Sequence, residues 1–247
     1  MSTTIFYFSG RGNALNAARV IAGKLGDTKL VPVYKALNGD IDLSAERIGF
    51  AFPVIDLGMP AIVSKLIRKL TIDDKNKYFF AVVTTGGMPA GTMLQVRNRL
   101  KSKGYKLSAG FLLLNNGKKE SLDVWDEKTD DIAAIVRDKR EYEPVKVSFM
   151  DRFILTGLAN RLALLLIPNE DKKFYVDDNC KGCGICQTVC PVKNIAIRGG
   201  KPVWLHKCEQ CGACFNLCPE KALHGNNLAA KTYHMNPNIE LKDFVMD

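Results

Sequence analysis

All eight cysteines of this 247-residue chain fall between Cys180 and Cys218, and their spacing is its strongest chemical signal. Cys180, Cys183, Cys186 and Cys190-Pro191 follow the pattern C-x2-C-x2-C-x3-C-P, and Cys208, Cys211, Cys214 and Cys218-Pro219 repeat it 28 residues later. In the same register Gly184 matches Gly212, Lys193 matches Lys221 and Ile195 matches Leu223. Three thiolates so spaced wrap one corner of a cubane iron-sulfur cluster, and the fourth, set off by a proline that turns the chain away, reaches the other cluster. Thiolate tetrads also suit zinc, but zinc sites generally use separated C-x2-C pairs without a third cysteine at the next x2 spacing.

The residues between the ligands fit a cluster. Gly182, Gly184, Gly212 and Ala213 are small enough for backbone amides to approach sulfur, while Ile185, Val189, Phe215 and Leu217 exclude water. Both effects tune a reduction potential. Residues 174–226 therefore resemble a bacterial-type ferredoxin with two four-iron four-sulfur (4Fe-4S) clusters. The resemblance implies a small α+β fold. It also implies crossed ligation, with Cys180, Cys183, Cys186 and Cys218 on one cluster and Cys208, Cys211, Cys214 and Cys190 on the other.

A second candidate site lies at the other end of the chain. Ser9, Gly10, Arg11, Gly12, Asn13 and Ala14 follow a short apolar run and precede a helical pattern. Backbone amides and the positive end of a helix dipole there favour an anion such as a phosphate. The turn lacks the third glycine of the dinucleotide fingerprint and the Gly-Lys-Ser of a Walker loop, and a tight strand-to-helix connection is its plain alternative. Two further loops bear on it: Pro53, Val54, Ile55, Asp56, Leu57 and Gly58 in one, Thr84, Thr85, Gly86 and Gly87 in the other. Both follow apolar runs, at the carboxyl ends of strands, where an open α/β sheet binds its ligand.

The elements needed to position these loops are legible in the hydrophobic pattern. Residues 5–8, 29–33, 48–52, 78–84 and 106–114 read as strands, alternating with helical periodicity over 13–25, 60–70, 92–103 and roughly 126–140. Runs 48–52 and 78–84 are apolar throughout, as central parallel strands require. The pattern predicts a doubly wound α/β domain with a five-stranded parallel sheet over residues 1–146. An apolar helical connector follows over 147–173, with Ile154, Leu155, Leu158, Leu162, Leu165 and Leu166 on one face and Pro168 at its end. That face suits packing on a neighbouring domain, a subunit interface or a peripheral membrane contact. The ferredoxin-like part with its tail takes 174–247.

With its three loops, the first domain resembles a flavodoxin. The resemblance implies that Ser9 to Ala14 hold the phosphate of FMN and that the other two loops flank the flavin ring, with Asn115 and Asn116 completing its polar edge. In order of domains the whole chain resembles the flavodoxin-ferredoxin fusions called the EFR1 family. Two departures stand out. Arg11 and Ala14 occupy positions where flavodoxin-like phosphate loops have hydroxyl residues, and no aromatic residue is present in either ring loop to stack on the flavin. Arg11 either supplies charge-assisted hydrogen bonds to the phosphate or points to solvent.

These readings predict an electron-transfer protein passing electrons between two 4Fe-4S clusters and FMN, and onward to a redox protein or small acceptor. The alternative is an iron-sulfur redox sensor or adaptor on a flavin-free scaffold. The three histidines, His206, His224 and His234, show no spacing that pairs them with a carboxylate or serine, so the chemistry is expected to be the cofactors' own.

Composition narrows the remaining classes. A 47% apolar content excludes a disordered chain. Clustered cysteines point to a reducing compartment, and residues 1–8 lack the pattern of a secretory leader, so a cytoplasmic protein without a transmembrane segment is expected. The formal charge is +9, with most of the excess before residue 147. No run of basic residues interleaved with aromatics supports nucleic-acid binding, and an acidic redox partner is the expected complement. With two oxidised clusters at about −2 each and an FMN phosphate, the loaded chain falls to about +3.

Overall fold

Thr3–Tyr7, Thr28–Pro32, Arg47–Pro53, Tyr78–Thr85 and Leu107–Leu114 form strands β1 to β5, and Asn13–Leu25, Val33–Asn38, Ala61–Lys69, Thr92–Lys101 and Glu120–Arg137 form helices α1 to α5. The computed structural model describes residues 1–72, 74, 76–87, 89, 91–114, 120–143, 167–225 and 235–244. Asn115, Asn116, His234 and residues 148–166 of the expected connector helix lie outside the described residues.

All pairings in the five-stranded sheet are parallel, in the order β2-β1-β3-β4-β5. This is the flavodoxin-like order, in which the chain reverses direction across the sheet between β1 and β3. Every residue of β4 is buried, which explains why its sequence is apolar without alternation. On one face, Ile5, Ala51, Phe80, Val82 and Phe111 pack with Ala17, Ala18 and Ile21 of α1 and Trp125, Ile132 and Val136 of α5. Gly49 makes this packing possible: a Cβ there would come within 2.4 Å of the Phe80 ring. On alternate positions of the same strands, Phe6, Phe50 and Phe79 form a stack that Tyr105 extends, with ring centroids 6.1, 6.4 and 5.2 Å apart.

The strand and helix positions agree with the pattern-based reading, and α1 coincides with it. Helix α2 was not foreseen. Pro32 ends β2 and stands as the N-cap of this six-residue helix, with only Val33 and Ala36 buried, too short for a helical period to show.

The remaining elements are small. Tyr175–Val176 (β6) pairs antiparallel with Leu223–His224 (β9), and Ile195–Arg198 (β7) forms a hairpin with Lys201–Trp204 (β8). Gly199 and Gly200, both at positive φ, turn the hairpin. Two one-turn helices, α6 (Ile185–Thr188) and α7 (Ala213–Asn216), each start on a left-handed glycine.

Two compact units result. Among the described residues, one contains 1–8 and 13–143; the other contains the turn 9–12 together with 167–225 and 235–244.

Candidate iron-sulfur centre and flavin loops

The sequence duplication survives in the backbone. Positive φ recurs 28 residues apart at Gly182 and Gln210 (66° and 55°), at Gly184 and Gly212 (77° and 72°) and at Lys193 and Lys221 (49° and 48°). Each half thus repeats the same backbone course, with its third cysteine inside the one-turn helix that leads toward the fourth. The left-handed turns aim amide groups at sulfur. Asn194 donates its N–H to Cys190 Sγ at 3.2 Å, and Gln210 donates to Cys208 Sγ at 3.3 Å.

Burial raises several of these thiols, and neighbouring thiols add to the rise. Burial pushes the Cys186 thiol up to about 11, and the thiols that add to this are Cys183, Cys218 and Cys180. Burial likewise raises Cys211 to about 12, with Cys190 the next contributor, and raises Cys208, where Cys211 and Cys190 contribute. Cys214 is driven well above the ordinary thiol range by burial, then by Cys211, Cys190 and Cys208, with Cys186 last. For Cys190 the rise comes from burial and is opposed by the amides of Asn194, Val192 and Lys193. Thiols of both halves thus contribute around Cys186, Cys208, Cys211 and Cys214.

Cys190, Cys208, Cys211 and Cys214 line one cavity whose walls include Phe174, Ile195, Trp204 and Phe215. Among the described residues no three His, Cys, Asp or Glu side chains come close enough to hold a single metal ion. A cubane cluster carries its thiolates on separate corners, so its ligands stand further apart than those of one tetrahedral ion. One buried donor tests the fit further: Trp204 Nε1, on the wall of this cavity, has no hydrogen-bond partner among the described residues. Such groups cost about 1–3 kcal/mol unless an acceptor is present, and cluster sulfurs would supply one.

Of the residues expected to exclude water, Val189 and Phe215 are buried, whereas Ile185 and Leu217 are half-buried. Two of the histidines pair with carboxylates distant in sequence. His206 Nδ1 lies 2.6 Å from Oδ1 of the buried Asp171, whose Oδ2 accepts the Asn194 side-chain amide at 2.9 Å. His224 Nε2 lies 2.9 Å from Asp177 Oδ2. These partners are 35 and 47 residues apart, so no local spacing could reveal them.

In the first unit the two ring loops meet at the carboxyl edge of the sheet. Val54 donates its N–H to the Thr84 carbonyl at 2.9 Å, tying Pro53 to the end of β4. Ile55 and Gly58 exchange backbone hydrogen bonds around Asp56 and Leu57, both at positive φ, so the loop turns tightly and leaves Leu57 exposed. Thr84 and Thr85 are buried, and Thr85 Oγ1 accepts the Gly87 N–H at 3.1 Å, leaving Gly86 and Gly87 at the surface. Asn13 and Ala14 begin α1 in this unit, with Ala14 buried.

Ser9, Gly10, Arg11 and Gly12 belong to the second unit. There the Arg11 carbonyl accepts the Asn236 N–H at 2.9 Å, and a Cβ at Gly10 would lie 2.3 Å from the Cys211 carbonyl oxygen. Gly12, at φ 88°, would similarly meet Ile239 at 2.9 Å. Close backbone approach thus calls for glycine at both positions, and the left-handed turn conformation calls for it at Gly12 as well.

Residues 179–223 match the family model of the 4Fe-4S dicluster domain. No curated protein matches the chain. Among solved structures, a flavodoxin from the domain Archaea is similar at 18% identity over 56% of this chain and 99% of its own, with a TM-score of 0.41. A Streptococcus pneumoniae flavodoxin is similar at 17% over 55% and 100%, with a TM-score of 0.41. Rubredoxin oxygen:oxidoreductase from Desulfovibrio gigas is similar at 18% over 56% of this chain and 36% of its own, with a TM-score of 0.42. The chain thus joins a flavodoxin-like α/β fold, defined by its own strand order, to a 4Fe-4S dicluster segment. No helix among the described residues is long and apolar enough to cross a membrane.

Proposed function

We propose that this protein transfers electrons between two 4Fe-4S clusters and a bound FMN, and passes them on to a redox protein or small acceptor. The observation that carries the reading is the cavity shared by Cys190, Cys208, Cys211 and Cys214, four thiols drawn from both halves of the repeat. Cys180, Cys183, Cys186 and Cys218 would hold the other cluster. When bound, the clusters supply one-electron steps, and a flavin accepts one electron or two. The protein's part is to exclude water, orient amides toward sulfur and hold the thiols in place.

The flavin half of the reading is supported by the strand order and by the two loops joined through Val54 and Thr84 at the edge where such sheets bind ligands. Pro53 to Gly58 and Thr84 to Gly87 would flank the ring, and Ser9 to Ala14 would hold the phosphate. A reducing compartment suits all eight thiols, and an acidic partner suits the positive charge.

Anaerobic purification followed by an absorption spectrum and by iron, sulfide and flavin analysis tests both halves. Flavin bands over a broad iron-sulfur shoulder are expected. No flavin after reconstitution with FMN would remove the flavin half, and zinc in place of iron would remove both. Arg11→Ala should weaken FMN retention while leaving iron content intact; unchanged retention would show that Arg11 does not bind the phosphate.

A further inference from the structure

The two halves of the cysteine repeat differ where the cluster surroundings are built. At the 28-residue offset Val176 corresponds to Trp204, and Gly182 to Gln210. Both changes add a nitrogen donor to the second half. Both donors, Trp204 Nε1 and Gln210 Nε2, are buried without a partner among the described residues.

Trp204 ends β8 and packs edge-on against Phe174, with ring centroids 5.6 Å apart. It lines the cavity shared by Cys190, Cys208, Cys211 and Cys214. The other tryptophan, Trp125, shows the ordinary outcome for a buried indole: its N–H donates to the Leu114 carbonyl at 2.8 Å. Asp171, the one buried carboxylate among the described residues, is bonded to His206 and Asn194. A cluster in the cavity would bring sulfur acceptors to the wall that Trp204 forms.

We propose that the Trp204 indole N–H is a hydrogen-bond donor to the cluster held by Cys190, Cys208, Cys211 and Cys214. This rests on the two-cluster reading given above. A reduced cluster carries one more negative charge than an oxidised one, so a fixed N–H dipole stabilises it more and raises its potential. The apolar walls act in the opposite direction, because a dry site disfavours the more charged form. Trp204 is therefore a positioning and tuning residue that separates the potentials of two sites with identical ligands. The first half, with Val176 and Gly182 in the matching places, has no counterpart.

The test compares the full-length, anaerobically reconstituted chain with Trp204→Phe, which keeps an aromatic ring and removes the N–H. In a potentiometric titration followed by electron paramagnetic resonance, one of the two cluster potentials should fall by roughly a tenfold change in the reduction equilibrium, about 59 mV for one electron. The other should not move. If the variant fails to assemble its second cluster, the wild type decides: with indole nitrogen labelled as nitrogen-15, the reduced cluster should show coupling to a nitrogen-15 nucleus and to an exchangeable proton. Full iron with unmoved potentials, or no such coupling, would overturn the proposal while leaving the two-cluster reading intact. Iron for only one cluster in the wild type would instead overturn the two-cluster reading and this inference with it.

Discussion

The two units bury different chemistry. In the parallel-sheet unit, Phe6, Phe50, Phe52, Phe79, Phe80, Ile48 and Leu66 are all fully buried, and large hydrocarbon side chains dominate the core. In the second unit the core cluster is Phe174, Cys186, Cys190, Ile195, Phe215 and Leu223, with Cys208, Cys214 and Cys218 packed against it. A sheet core contributes stability through apolar area alone. A core built of ligands does so only when the thiols are committed to metal, because metal binding to such a site is itself folding free energy.

The sharpest way to break that contrast is to remove iron. A chelator under reducing conditions should unfold residues 167–225 while the parallel sheet persists, and hydrogen exchange should show protection lost in β6 to β9 and retained in β1 to β5. Retained protection in both units would mean that the second core stands without its clusters.

Phe50→Ala sharpens the comparison from the other side. Its ring lies between Phe6 and Phe79 and is fully buried, so the loss should be about 3–5 kcal/mol. Denaturant unfolding should show that loss in the first unit alone, with iron content unchanged. A fall in iron content would show the two units to be energetically linked.

A smaller effect concerns pH. Tyr78 donates its hydroxyl to the Arg140 carbonyl at 2.6 Å, and burial pushes its pKa up to about 12. The folded state thus holds the neutral phenol while the unfolded chain ionises near 10. Tyr78 stabilises the fold fully below about pH 10, and that contribution disappears as pH rises through about 12, a loss of about 2–3 kcal/mol. Tyr78→Phe should cost about 1 kcal/mol at neutral pH and flatten this part of the profile. Equal alkaline slopes for the two proteins would contradict the assignment.

The sequence disclosed most of the first unit because its strands are long, apolar and separated by helices of more than two turns. Helix α2 escaped because six residues with two buried positions make no period. The cysteine pattern was legible because ligand spacing is a local constraint, and the 28-residue repeat extends to the φ angles. What stayed hidden depends on distant contacts. The Asp171 to His206 pair spans 35 residues, and the packing of the 9–12 turn on Cys211 and Asn236 spans some 200. Trp204 was within reach: aligning the two halves sets it against Val176, though only the structure shows its N–H without a partner among the described residues.

The central claim is that each cluster site is assembled from both halves of the repeat. Alkylation of Cys190→Ala, purified with its iron, followed by mass spectrometry tests it most directly. Crossed ligation predicts that Cys208, Cys211 and Cys214 become modified while Cys180, Cys183, Cys186 and Cys218 stay protected, with iron falling to about half. Modification confined to Cys180, Cys183 and Cys186, the nearest neighbours in sequence, would contradict the account.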